Sequence, residues 1–161
     1  MPTTNNFSNF RFRLLGPSDL PVLIELGLPT CGFMHGRENV SEDVLRKNFT
    51  SFVKQFALEP SSEIYLLEDE AKQVVGQIWL HVTRNRFNGL KELWVWDITV
   101  RPDHRRQGIG RHLMNMAEQR AVELKCDELW LLVSERNDEA RNLYEELELK
   151  SQGRLMAKSL K

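Results

Sequence analysis

The chain has 161 residues, 41% of them hydrophobic, and sets 22 Lys and Arg against 23 Asp and Glu. That is enough apolar material for one sizeable core. A formal net charge of −1 lacks the basic field that draws nucleic acid or an anionic membrane surface. No apolar run approaches the roughly 20 residues that span a bilayer. Residues 1–6 lack the basic-then-apolar pattern of a signal peptide, and Cys31 and Cys126 are too few and too far apart for a disulfide framework. Residues 1–161 are therefore expected to form a single domain in a reducing cytoplasm, with neither nucleic acid nor membrane as partner.

Residues 10–15 alternate apolar and basic and predict a first strand. Pro17-Ser18-Asp19 opens a short helix, with Ser18 as its cap and Gly27 and Pro29 at its end. After a Gly-containing loop, Ser41 caps a second helix, whose Val44, Leu45, Phe49, Phe52, Val53 and Phe56 share one face. Ile64–Glu68 and Val74–Val82 form a hairpin across the polar Asp69–Gln73, and Leu93–Val100 follows after the turn-like Asn85–Gly89. Then strand and helix alternate: a helix at 108–124, a strand at 128–133, a helix at 137–147, and a terminal strand or pair broken near Gly153. The order β-α-α-β-β-β-α-β-α-β describes an α/β fold, a mixed, twisted, mostly antiparallel sheet with helices on both faces.

The richest stretch joins the third of these central strands to the helix after it: Val100-Arg101-Pro102-Asp103-His104-Arg105-Arg106-Gln107-Gly108-Ile109-Gly110-Arg111-His112-Leu113. At such a junction the first helical N–H groups lack partners and the helix dipole adds positive potential. Gly108 and Gly110 let the backbone turn and approach an anion, and four arginines and two histidines in twelve residues add charge. A phosphate-bearing ligand is indicated. A dinucleotide fingerprint would want a third glycine where Leu113 stands, and a nucleoside-triphosphate loop would want Gly-Lys-Ser/Thr. Elsewhere, Asp97 is an isolated carboxylate in the apolar strand Leu93–Val100, and burial there would raise its pKa and make it a candidate base. Trp79, Trp94 and Trp96 read as core aromatics before they read as a stacking surface. The scattered Cys31, His35, His104, His112 and Cys126 have no metal-ligand spacing, so no metal is expected.

Arg105-x-x-Gly108-x-Gly110, preceded by Val100-x-Pro102 and followed by Leu113, resembles the coenzyme A signature of the GCN5-related N-acetyltransferases (GNAT). Asn137-x-x-Ala140-x-x-Leu143-Tyr144 resembles that family's second motif, after one intervening strand. The resemblance implies acetyl-CoA as co-substrate and a primary amine, on a small molecule or a peptide, as acceptor. It puts Arg105, Arg106, Gln107, Gly108, Ile109, Gly110 and Arg111 at the coenzyme's phosphates. The backbone of Ile98, Thr99 and Val100, splayed from the next strand, would take the pantetheine arm together with Asn137. Tyr144 would protonate the departing thiolate, and Asp97 matches a position where an acid often lies near the amine. Arg101 is a further candidate for the phosphates, and the loop Thr30–Gly36, between the two acceptor-side helices, a candidate for substrate contact. One departure stands out: where the family has a Gly-Phe pair after its tyrosine, this chain has Glu148-Leu149, which puts the end of that helix in question. A homodimer is compatible with this reading, as is a non-catalytic acyl-CoA-binding sensor or interaction module of the same fold.

Overall fold

The structure is a computed structural model that describes residues 7–33 and 37–160. Five strands form one open sheet in sequence order, β1 (Arg11–Leu14), β2 (Ser62–Glu68), β3 (Val74–Arg84), β4 (Lys91–Val100) and β5 (Glu128–Leu131). The first four pair antiparallel and β5 joins β4 in parallel. Two helices precede the central strands, α1 (Leu20–Gly27) and α2 (Glu42–Phe56), and two alternate with the last ones, α3 (Ile109–Glu123) and α4 (Asp138–Glu146).

Period-two side-chain alternation divides the core between the two faces of the sheet. On one face Leu67, Ile78, Leu80, Leu93 and Val95 meet Ile109, Leu113, Met114 and Ala117 of α3, with Tyr144, Leu143 and Ala140 of α4 alongside. On the other, Ile64, Leu66 and Trp79 meet Leu23 of α1 and Val53, Phe49, Phe52 and Phe56 of α2. Val44 on α2 lies outside that stripe and is exposed.

Local chemistry places the helix ends. The Ser41 hydroxyl accepts the Val44 N–H at 3.4 Å and caps α2 as expected. Ser18 is not a cap: residues 17–19 form a 3-10 turn that leads into α1, and Asp19 there accepts the Gly16 N–H and pairs with Arg13. The expected terminal strand does not form either. Residues 150–160 carry no regular structure and are exposed, Leu155 and Met156 included, so β5 remains an edge strand. A segment that finds no partner strand is not secured as one. No described helix is long and apolar enough to cross a membrane.

Candidate active site

Residue pairing across β3 and β4 slips at one point: Trp79 faces Asp97 and Leu80 faces Val95, which leaves Trp96 as an extra, bulged residue. Before the bulge Leu93 and Val95 face α3; after it Ile98 and Val100 do. Asp97 and Thr99 therefore point to the α1/α2 face. Trp96 also ends there, its ring stacked on His81 at 3.9 Å and against Trp79, Phe52 and Phe56.

The bulge also marks where β4 and β5 part. Their parallel pairing ends at Val95 and Leu131, while β4 continues to Val100. Past Val95 the β5-facing edge of β4 has no strand to bond, and this is the splay the family resemblance implied. That edge leads through a 3-10 turn at Pro102–His104 into a loop with two left-handed residues, Arg106 (φ 62°) and Gly108 (φ 80°). Gly108 is the residue before α3. Its carbonyl accepts the His112 N–H at 3.0 Å, and no side chain caps the helix. Here the glycine is required by its dihedral. The N–H groups of the first turn of α3 are thus left without the side-chain acceptor that Ser41 gives α2 and Asn137 gives α4.

The charged loop side chains are engaged within the protein. Arg105 Nε donates to the Val100 carbonyl at 3.2 Å. Arg106 lies 3.6 Å from Glu139, and Arg111 pairs with Glu146. Arg101 grips Asp103, which His104 and Arg101 together hold down at a pKa of about 2. Gly110 also serves packing: a Cβ built there would lie 3.1 Å from Leu143 Cδ2, so the missing side chain makes room for α4. Ile109 is buried in the core. Asn137 caps α4, its Oδ1 accepting the Ala140 N–H at 3.2 Å.

Tyr144 is buried on α4, and no protein group hydrogen-bonds its hydroxyl among the described residues. Burial first, then the charge of Asp97, push its pKa to about 12. Asp97 is 8% exposed, and burial lifts its carboxyl to about 6, with Thr30, Gln77 and the Ile98 N–H holding it partway back. A hydroxyl that keeps its proton and a carboxylate poised near neutrality thus sense each other across the gap between β4 and β5.

Around Asp97 lie Gln77, which the sequence patterns did not single out, and Thr99, Thr30 and Gly27, which they had given other roles. Gln77 on β3, wholly buried, donates Nε2 to Asp97 Oδ2 at 2.6 Å. Thr99 Oγ1 lies 3.2 Å from Thr30 Oγ1. Gly27, expected to stop α1, is its last residue and serves a contact: a Cβ there would fall 2.7 Å from Asp97 Oδ2 and 2.5 Å from the Phe49 ring. The signal that exposed Asp97, one polar residue in an apolar strand, was equally present at Gln77 between Gly76 and Ile78. Within the loop expected to contact substrate, Thr30 reaches this cluster, and Met34, His35 and Gly36 lie outside the described residues. Trp79 is core, as expected; Trp96 is partly exposed.

A strand that leaves its neighbour and feeds an uncapped helix through a left-handed loop matches what comparison with known proteins finds. The model of the acetyltransferase (GNAT) family matches residues 30–148, and the chain belongs to that family. It is 29% identical over 133 residues to an uncharacterized N-acetyltransferase in the pepI 3' region of Lactobacillus delbrueckii subsp. lactis, covering 78% of this chain and 76% of that one. Among solved structures, a Pyrococcus furiosus protein provisionally named an acetyl transferase superposes with a TM-score of 0.81 at 20% identity, covering 94% and 99% of the two chains. The ribosomal-protein-alanine N-acetyltransferase of Brucella melitensis biovar Abortus 2308 gives 0.69 at 18% identity over the same shares, a likeness of fold.

Proposed function

We propose that the protein transfers an acetyl group from acetyl-CoA to a primary amine by direct attack on the thioester. The observation that carries this reading is the β4 edge. Pairing with β5 stops at Val95 while β4 continues to Val100, and the exposed peptide groups lead straight to the uncapped N-terminus of α3. The amides of a pantetheine arm would bond Ile98, Thr99 and Val100 as a missing strand would. The pyrophosphate would take the free N–H groups between Gly108 and Arg111, with the helix dipole behind them. Arg105, Arg106, Gln107 and Arg111 stand around that seat, and their ion pairs with Glu139 and Glu146 would exchange for phosphate. Asn137, whose Oδ1 caps α4, keeps its Nδ2 for the arm.

An alkylammonium has a pKa near 10.4, so it must lose a proton before it can attack. Asp97, buried and raised to a pKa of about 6, would take that proton. The nitrogen lone pair then bonds the thioester carbon, the C–S bond breaks as the carbonyl re-forms, and the nitrogen sheds its second proton. Tyr144 gives its hydroxyl proton to the leaving sulfur and is reprotonated from solvent. The products are an acetamide and free coenzyme A thiol. Thiol release from purified protein and acetyl-CoA against a panel of alkylamines, polyamines and peptides tests the reading. Amine-dependent release is expected, and coenzyme binding without release from any amine would favour the non-catalytic binding module instead.

A further inference from the structure

The oxygen atoms around Asp97 present an imbalance that the fold does not explain. Gln77 Nε2 donates to Asp97 Oδ2 at 2.6 Å, which fixes the amide, because the opposite flip would set two oxygens against each other. Gln77 Oε1 is then buried with no donor, and so is Asp97 Oδ1. Gln77 shows no exposed surface and Asp97 only 8%. A buried acceptor left unmet destabilises the fold. An aliphatic residue at 77 would have avoided one of the two, in a strand that is apolar from Ile78 to Leu80. Thr30 and the Ile98 N–H act on the Asp97 carboxyl and hold its pKa partway down, yet neither meets Oδ1 with hydrogen-bond geometry, and no donor reaches Gln77 Oε1. The Thr30 and Thr99 hydroxyls lie 3.2 Å apart, Gly27 brings no side chain, and Phe49 is apolar. Two acceptors short of donors describe the complement of a group with several N–H bonds and no lone pair.

We propose that Gln77 Oε1 and Asp97 Oδ1 form a two-oxygen seat for the primary ammonium of the acceptor, with Gln77 as its specificity-determining residue. This deepens the acetyl-transfer reading above and rests on it for the amine's fate. One N–H of the ammonium bonds Asp97, the proton that is later removed, and a second bonds Gln77, so that the nitrogen is held as it loses charge. Because the amide of Gln77 also donates to Oδ2, it aims the carboxylate and selects the substrate with the same side chain. The seat asks for N–H donors and not merely for positive charge. Stacked Trp96 and His81, with Phe52 and Phe56 behind them, form an apolar wall beside it on the same face of the sheet.

The test compares two cations of equal charge, n-hexylammonium and n-hexyltrimethylammonium, by calorimetry on the full chain saturated with coenzyme A, where no turnover can occur. Hexylammonium is expected to bind at least tenfold more tightly, the worth of roughly one charged hydrogen bond. Gln77→Met should weaken hexylammonium about tenfold, leave the trimethyl cation within threefold, and leave coenzyme A affinity unchanged. Equal binding of the two cations overturns the seat, as would be the case if a buried water already met both oxygens. Tighter binding of the trimethyl cation, or no binding of hexylammonium, overturns it too. The wild-type comparison decides the matter even if the variant fails to fold. Thiol release separates the two readings: turnover with no preference between the cations removes the seat alone, and a Gln77-dependent preference without thiol release removes the acetyl-transfer reading alone.

Discussion

On the α3/α4 face of the sheet, the groups offered to a ligand are mostly backbone: the unpaired edge of β4 from Ile98 to Val100 and the free N–H groups after Gly108. On the α1/α2 face they are side chains, Asp97 and Thr99 of β4, Gln77 of β3 and Thr30, drawn from three separate parts of the chain. A backbone site needs particular dihedrals and particular gaps, so it writes itself into contiguous sequence as glycines at fixed spacing. A side-chain site needs only that its members meet in space. On the proposed reading the difference would suit one fixed donor and a variable acceptor, since a side-chain site can be rebuilt residue by residue.

The largest effect should come where the two faces meet. Tyr144→Phe keeps the ring in the α3/α4 core and removes only the hydroxyl, so kcat should fall roughly ten- to a thousandfold while coenzyme affinity and Tm hold. Single-turnover rates with a slow amine measure it. A loss seen in coenzyme binding instead would place Tyr144 wholly on the donor side of the comparison.

Next comes Asp97, where function and stability should oppose each other. Its pKa rises from 3.8 to about 6 because burial penalises the charge. A carboxyl with a raised pKa holds its proton more tightly in the folded state than in the unfolded one. The stability it contributes is complete below about pH 4 and is lost as pH rises through about 6. At pH 7.5 the ionised group should cost about 3 kcal/mol, at 1.36 kcal/mol per pKa unit. Asp97→Asn is therefore expected to raise Tm by several degrees at pH 7.5 and by almost nothing at pH 4, while it slows acetyl transfer. Melting curves at the two pH values check this; a variant less stable at both would make Asp97 a structural member of the α1/α2 core.

Much of this was legible before the structure. The hairpin of Ile64–Glu68 and Val74–Val82 across Asp69–Gln73, the stripe on α3 and the cap at Ser41 need only neighbours a few residues away, and those elements formed. What stayed hidden shares a cause. Gly110 was read from its place in a motif, which says nothing of Leu143 on α4 packed against it. Gly27 ends α1 as expected, but its close contact with Asp97 and Phe49 could not be read from its neighbours. Residues 150–160 were expected to add a terminal strand, yet the structure brings them no partner strand. Whatever depends on which distant segment arrives next to a residue stayed hidden, and the acceptor side is made almost wholly of such meetings.

Gly110 sharpens the comparison further, because a side chain there now has a stated target. Gly110→Val should overpack the α3/α4 contact against Leu143, at a cost of about 1–3 kcal/mol visible in Tm without any ligand. Pairing it with Leu143→Ala should recover part of the loss. If Gly110→Val leaves Tm unchanged and weakens only coenzyme binding, the glycine serves the phosphates and not the packing.

The smallest expected effect lies at the end of α4, where this chain departs from the family's glycine and closes the helix as α3 is closed. Both helices close in the same way. After α3, Lys125 takes φ 55°, its N–H bonds the Val122 carbonyl, and the Cys126 N–H bonds Ala121 at 2.8 Å. After α4, Glu148 takes φ 64°, its N–H bonds Glu145, and the Leu149 N–H reaches the carbonyl of Tyr144 at 2.9 Å. That is the pattern in which glycine is preferred, with Leu149 packed back on the core as its apolar clasp. The departure in sequence thus leaves the geometry in place and charges it to the backbone, since a side chain in the left-handed region costs about 1–2 kcal/mol. Glu148→Gly should return part of this, offset by the greater freedom of glycine in the unfolded chain, for a net gain of about 0.5–1 kcal/mol and a few degrees in Tm. Because the last of these hydrogen bonds ends on Tyr144 itself, the same variant asks whether strain at the helix end reaches the catalytic face. An unchanged kcat beside a higher Tm would show that α4 is anchored by Leu149 and its core contacts. A changed kcat would tie the position of the Tyr144 hydroxyl to the dihedral of Glu148.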